Sequence, residues 1–315
     1  MTTFQPTDRL GAIYAEWTEE FVANPEMSLR LMRWVFEDWQ RATAEPEDVT
    51  YKSTELGGVP GILVTPLAAD PTQVPVFLHG GGFALGSSAS HRKLAGHVAR
   101  ACGATAFVAD FRRAPEHPYP AQIEDTAAVF DALVRDGIRP ADITFIGDSA
   151  GASIAIATTL RMQRDGSRTP GLVMAISPWL DMENTGETLV SNNDTDFLIT
   201  REGLQGNIDR YLSGGADPTD PLVNPLYADL TGFPPLYITA ADIESLYADA
   251  TRLHALAQDA GVAVTFDVAP GHQHVFPLQA GHLAAADSSI ATMADWYHAR
   301  RIANAHQHTA QPASA

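Results

Sequence analysis

Short apolar runs alternate with segments of helical period along most of this chain, and that alternation leaves few folds open. The runs are Val49 to Leu56, Gly61 to Pro66, Val74 to Leu78, Thr105 to Asp110, Ile143 to Ile146, Leu172 to Ser177, Leu236 to Thr239 and Val262 to Val268. Several are unbroken and rich in Val and Ile, as strands buried on both faces are. Helix-period segments separate the later runs, among them His91–Ala101, Gln122–Arg135, Ala152–Asp165, Ser245–Ala260 and Leu283–Ala303. Such alternation predicts an α/β fold, a mostly parallel sheet of eight strands with helices on both faces. The 315 residues, 45% of them apolar, suffice for one large α/β domain with an added cap, or for two domains.

Two regions depart from the alternation. From residue 8 to 43, Ile13, Trp17 and Phe21, then Leu29, Met32, Val35, Phe36 and Trp39, recur at helical spacing, with a break at Asn24-Pro25. The aromatic residues here (Trp17, Trp34, Phe36, Trp39) hint at an apolar substrate, although packing as helix core is the simpler reading. From about 182 to 218 the chain is polar and helix-forming, without a clear strand. An insertion there lies over the carboxyl ends of the strands, where ligand sites of α/β sheets form. The tail after Ala303 is small and polar and reads as disordered.

Composition narrows the function classes. A net charge of −18 disfavours nucleic acid and anionic membranes, which select basic patches. The single cysteine, Cys102, allows neither an internal disulfide nor a cysteine metal site. The first ten residues lack a basic start followed by an apolar stretch, and no apolar run is long enough to span a membrane. A cytoplasmic protein is the expectation.

Chemistry concentrates in three places. Gly147-Asp148-Ser149-Ala150-Gly151 sits where an apolar run turns into a small-residue helix. A serine on so sharp a strand-to-helix turn has its hydroxyl pushed out at the top of the sheet, as a nucleophile needs. His79-Gly80-Gly81-Gly82-Phe83 follows the Val74–Leu78 run. Its glycines let the backbone approach a substrate, so the N–H groups of Gly81, Gly82 and Ala150 are candidate donors to an oxyanion. In a hydrolase of this type the order is Ser, acid, His, which puts the base in Gly271-His272-Gln273-His274-Val275-Phe276. His274 is favoured over His272, because Val275 and Phe276 can anchor its loop. The acid should follow Leu236–Thr239, where Asp242, Glu244 and Asp249 compete; Asp181 is more distant. No third ligand accompanies the histidine pair, so a metal site is not expected.

With these parts in place the chain resembles the bacterial hormone-sensitive-lipase-like esterases of the α/β-hydrolase fold. The likeness runs from about Pro60 to Arg300. Beyond the motifs above it includes Asp110-Phe111-Arg112-Arg113-Ala114-Pro115-Glu116-His117-Pro118, Ser177-Pro178-Trp179-Leu180-Asp181 and Asn224-Pro225-Leu226-Tyr227. Members that hydrolyse monoterpene ε-lactones look nearest. The resemblance implies Glu244 as the acid, within Glu244-Ser245-Leu246-Tyr247-Ala248-Asp249, although Ala240-Ala241 and Ala248 depart from the family pattern and keep Asp242 in play. Ala152 and Arg113 are further departures. It also implies a cap built from residues 1–44 and 183–215 over a catalytic domain of 45–182 and 216–303, a tail from 304 to 315, and a homodimer through Val262–Val268. The implied activity is cofactor-free hydrolysis of small esters or lactones through an acyl-enzyme. An amidase or formamidase using the same triad is the nearest rival. A non-catalytic ligand-binding protein on this scaffold is a second, disfavoured because such proteins lose the histidine and His274 is present.

Overall fold

The apolar runs assemble into one eight-stranded sheet. The computed structural model describes residues 9–309, with side chains to residue 303. Its strands are β1 (Val49–Leu56), β2 (Val59–Pro66), β3 (Val74–Leu78), β4 (Ala106–Ala109), β5 (Ile143–Asp148), β6 (Leu172–Ile176), β7 (Leu236–Ala241) and β8 (Val264–Ala269). Their spatial order is β1-β2-β4-β3-β5-β6-β7-β8. β2 runs antiparallel to β1 and β4, and the other pairings are parallel. Every residue of β3 through β7 is buried, which is why those runs carry no polar alternation. β1, at the edge, alternates exposed and half-buried positions.

The helices are α1 (Arg9–Ala23), α2 (Leu29–Phe36), α3 (Ser88–Cys102), α4 (Ala121–Arg135), α5 (Ala150–Arg164), α6 (Thr188–Ser191), α7 (Arg201–Tyr211), α8 (Tyr247–Asp259) and α9 (Ala284–Thr309). They divide the apolar side chains into two large cores. α4, α5 and α8 pack in one, with Val76 and Leu78 of β3; α1, α3 and α9 pack in the other, with Phe77. The pleat sends neighbouring residues of β3 to opposite faces.

Element ends differ from the sequence expectation for local reasons. α3 begins at Ser88 rather than His91, because Ser87 and Ser90 form a reciprocal capping box. α5 begins at Ala150, directly after the turn made by Ser149. Val262 stays outside β8, since its N–H bonds back to Ala257 at the end of α8. α9 runs to Thr309, into the segment 304–315 expected to be a tail; residues 310–315, like residues 1–8, lie outside the described residues. Among the described residues no helix is long and apolar enough to cross a membrane.

The topology prepares a site. From β3 the chain goes to β4 on one side and then to β5 on the other. The connections after β3 and β5 diverge there, opening a crevice at the carboxyl ends of the strands. The Gly80–Gly82 loop and Ser149 follow those two strands.

Candidate active site

Ser149 is held in a backbone conformation that few L-residues adopt, with φ 52° and ψ −121°. Such strain costs roughly 1–3 kcal/mol and persists only when the surroundings impose it. Here the Ser149 N–H donates to Ile176 O at 2.9 Å, and its carbonyl accepts from Trp179 N at 3.2 Å. The flanking glycines are required by contact. A Cβ on Gly151 would lie 1.9 Å from Leu78 O, and one on Gly147 would lie 2.3 Å from the Gly151 backbone.

Opposite Ser149 the loop after β3 turns through Gly81 (φ 114°) and Gly82 (φ 61°). The N–H groups of Gly81 and Gly82 meet no acceptor among the described residues. Ala150 is the first residue of α5, so its N–H has no partner within the helix. All three of the expected donors are therefore available. Asp148, the variable residue of the pentapeptide, ties the two halves of the crevice together. It is fully buried, accepts from Gly80 N at 3.0 Å, and faces His91 Nε2 at 3.3 Å. Two arginines hold the outer loop carbonyls: Arg33 Nε donates to Ala84 O at 2.8 Å, and Arg113 Nη1 to Gly86 O at 2.5 Å. Arg33 also bonds Glu116 through both nitrogens of its fork. His79 is structural. Its ring stacks on Phe111 at 4.2 Å, and burial lowers its pKa to about 3, leaving the imidazole neutral.

His274 Nδ1 lies 3.1 Å from Glu244 Oε2, and both side chains are buried. A carboxylate only accepts, so Nδ1 carries the proton and Nε2 is left as the basic nitrogen. Burial by itself would lower the His274 pKa; the hydrogen bond and charge of Glu244 outweigh it and raise the value above 6.5. The loop carrying His274 is pinned from three sides. Tyr14 OH donates to His274 O at 3.0 Å, Val275 N donates to Ser177 Oγ at 3.0 Å, and Gly271 N donates to Asp242 Oδ1 at 2.7 Å.

The remaining candidates from the sequence do other work. Asp242 is spent on that Gly271 N–H. His272 stacks on Phe276 at 5.3 Å. Asp181 binds Arg252 at 2.7 Å and the Thr185 N–H at 2.9 Å. Asp249 is buried and accepts from the N–H groups of Leu180 and Asp181 at 2.7 and 2.9 Å. Among the described residues, no cluster of three His, Cys, Asp or Glu side chains forms a metal-binding group. Sequence reasoning assigned no role to Asp148, Ser177, Tyr14 or Arg33. Ser177 directly follows β6, a position that could have flagged it; the others act through contacts far apart in the chain.

Asp249 yields a stability prediction. Burial pushes its carboxyl up to about 7 from an ordinary 3.8. The folded state therefore binds this proton more tightly than the unfolded chain does. The stabilisation is complete below the unfolded pKa and is lost as pH rises through the folded one. Asp249→Asn keeps an oxygen for both N–H donors and removes the ionisation. Its Tm relative to the parent should rise by about 4 °C between about pH 5 and pH 8. Parallel melting of the two proteins across that range would exclude such a titration.

A cavity of about 420 Å³ opens over Ser149, with Gly81, Gly82 and His274 also in its wall. Phe36 and Trp39 from the N-terminal region line it together with Leu198, Ile199 and Leu204. Trp17 packs behind Phe36 and Trp39, at centroid distances of 4.8 and 5.7 Å. Trp34 is exposed. Phe36 and Trp39 thus serve as core and as cavity wall at once, and Trp17 as core alone.

A family profile described as alpha/beta hydrolase fold matches residues 75–278. An acetyl-hydrolase of Streptomyces hygroscopicus is 36% identical over 273 residues, covering 81% of this chain and 90% of that protein. An esterase of Acinetobacter venetianus is 34% identical, covering 84% and 87%. The crystal structure of an esterase from the bacterial hormone-sensitive lipase family superposes with a TM-score of 0.88 at 32% identity, covering 94% of this chain and all of that one.

Proposed function

Because the chain belongs to the bacterial hormone-sensitive-lipase family of α/β-hydrolases and is a carboxylic-ester hydrolase, we propose that Ser149, His274 and Glu244 are its catalytic triad and that catalysis runs through an acyl-enzyme. The observation that carries this is the His274–Glu244 bond of 3.1 Å, with His274 and Ser149 lining the same cavity. His274 Nε2 takes the Ser149 proton as Oγ attacks the ester carbonyl. The N–H groups of Gly81, Gly82 and Ala150 receive the oxyanion. The proton then passes to the leaving alkoxide, and water activated by His274 releases the acid. Glu244 holds the imidazole tautomer and stabilises its charged form.

Short-to-medium acyl esters and ε-lactones are the proposed substrates. A largely apolar cavity of about 420 Å³ exceeds what an acetyl group fills. The relatives named acetyl-hydrolase and esterase support the short end of the range. In this reading α1, α2 and residues 183–215 act as the cap. Treatment with a fluorophosphonate should give one adduct, on Ser149 by peptide mass mapping, with matching loss of p-nitrophenyl butyrate hydrolysis. An adduct elsewhere, or labelled protein that stays active, refutes the assignment. Faster turnover of N-formylkynurenine than of the butyrate or ε-caprolactone would move the substrate to activated amides.

A further inference from the structure

Most polar groups of the cavity wall are already engaged. Thr18 Oγ1 donates to Phe197 O at 2.5 Å, Thr200 Oγ1 accepts from Gly203 N at 3.0 Å, and Glu202 is exposed. Asn207 on α7 differs. Arg210 Nη1 donates to its Oδ1 at 2.9 Å. A guanidinium has no acceptor, so that bond fixes which end of the amide is oxygen. The amide nitrogen is thereby turned to Gly82. A Cβ built on that glycine would lie 2.2 Å from Asn207 Nδ2, which places the nitrogen in contact with the loop that carries the expected oxyanion donors. Among the described residues no acceptor is bonded to Nδ2. Asn207 and Arg210 are both half-buried and both line the cavity.

We propose that Asn207, oriented by Arg210, is a specificity-determining residue that donates to a second oxygen of the substrate, near the scissile carbonyl. The favoured substrates are then esters bearing an ether, hydroxyl, keto or second ester oxygen close to the reacting centre, rather than plain alkyl esters. A largely apolar wall that carries an oriented donor selects in this way, because a substrate without the acceptor leaves that donor unpaired when it displaces water.

Two isosteric pairs test this. p-Nitrophenyl methoxyacetate against p-nitrophenyl butyrate places an ether oxygen in the acyl chain. 2-Methoxyethyl acetate against butyl acetate places it in the alcohol. In Asn207→Leu the ratio of kcat/KM within one pair, oxygen-bearing over carbon, should fall about tenfold relative to the parent. The pair that responds identifies the side of the ester that Asn207 reads. Each ratio comes from one preparation and does not depend on the fraction folded. Arg210→Met, which releases the amide to rotate, should lower the same ratio by about threefold. Ratios in Asn207→Leu that stay within about twofold of the parent in both pairs overturn the inference. The proposal rests on the Ser149 reading, but the two fail separately. Turnover of these esters by Ser149→Ala would sink the triad, whereas unchanged ratios in an enzyme that needs Ser149 would sink only Asn207.

Discussion

Ser149→Ala should lower kcat on p-nitrophenyl butyrate by at least about ten-thousand-fold while leaving the fold intact. The substitution removes only Oγ. The elbow is imposed by the Ile176 and Trp179 bonds and by the close contacts of Gly147 and Gly151, none of which involves the hydroxyl. Stability should accordingly move by no more than about 1 kcal/mol, as is usual where no cavity or unpaired buried group results. The activity that remains would come from the oxyanion donors and substrate binding alone. Steady-state kinetics beside a thermal melt check both halves. A well-folded variant retaining more than about a hundredth of parental kcat would show that another group is the nucleophile.

Glu244→Gln against Asp242→Asn carries the second large effect. The Glu244→Gln side chain keeps the volume and an oxygen for the Nδ1 proton but not the charge, so kcat should fall by about a thousandfold or more. Asp242→Asn keeps an acceptor for the Gly271 N–H, 2.7 Å away, so its loss should stay within about threefold. A larger loss in the Asp242 variant would transfer the orienting role to that residue. The same pair makes a pH prediction. His274 must be neutral to act as base, and Glu244 raises its pKa above 6.5. The kcat/KM of the parent should thus climb with pH along an acid limb centred above 6.5. In Glu244→Gln burial acts without its counterweight, and the limb should shift to lower pH. A limb that stays in place would mean that another group sets it.

Much of the site can be read from local sequence, for a physical reason. The elbow and the glycine loop each occupy five consecutive residues, so their patterns show in the sequence. The contacts that demand glycine come both from near neighbours (Gly151 for Gly147, Leu85 for Gly81) and from other elements (Leu78 for Gly151, Asn207 for Gly82). Ser149, Gly81, Gly82 and Ala150 are legible on that basis, as are the buried strands, whose lack of alternation follows from burial on both faces. The apolar period places the start of α3 three residues late, because a serine capping box opens the helix before that period becomes visible.

The carboxylates show where that legibility stops. Asp242, Glu244 and Asp249 lie within eight positions and are chemically alike. Which one meets His274 depends on where each side chain points as the chain leaves β7, and on a loop some thirty residues further on. Resemblance to a family points to Glu244; the residues themselves do not separate the three. The fold sends Glu244 to the imidazole, Asp242 to a loop N–H and Asp249 to the backbone after β6. Asp148, Tyr14, Arg33 and Asn207 gain their roles in the same way, through partners from other elements. The alternation of the sheet, the elbow pentapeptide around Ser149 and the glycine run after β3 are legible in the chain because each is a short run of consecutive residues, even though Ile176, Trp179, Leu78 and Asn207 from other elements hold them in place. The carboxylate that orients the histidine and the amide that faces the cavity are selected by packing. Those choices are directions in space, and distant elements set them.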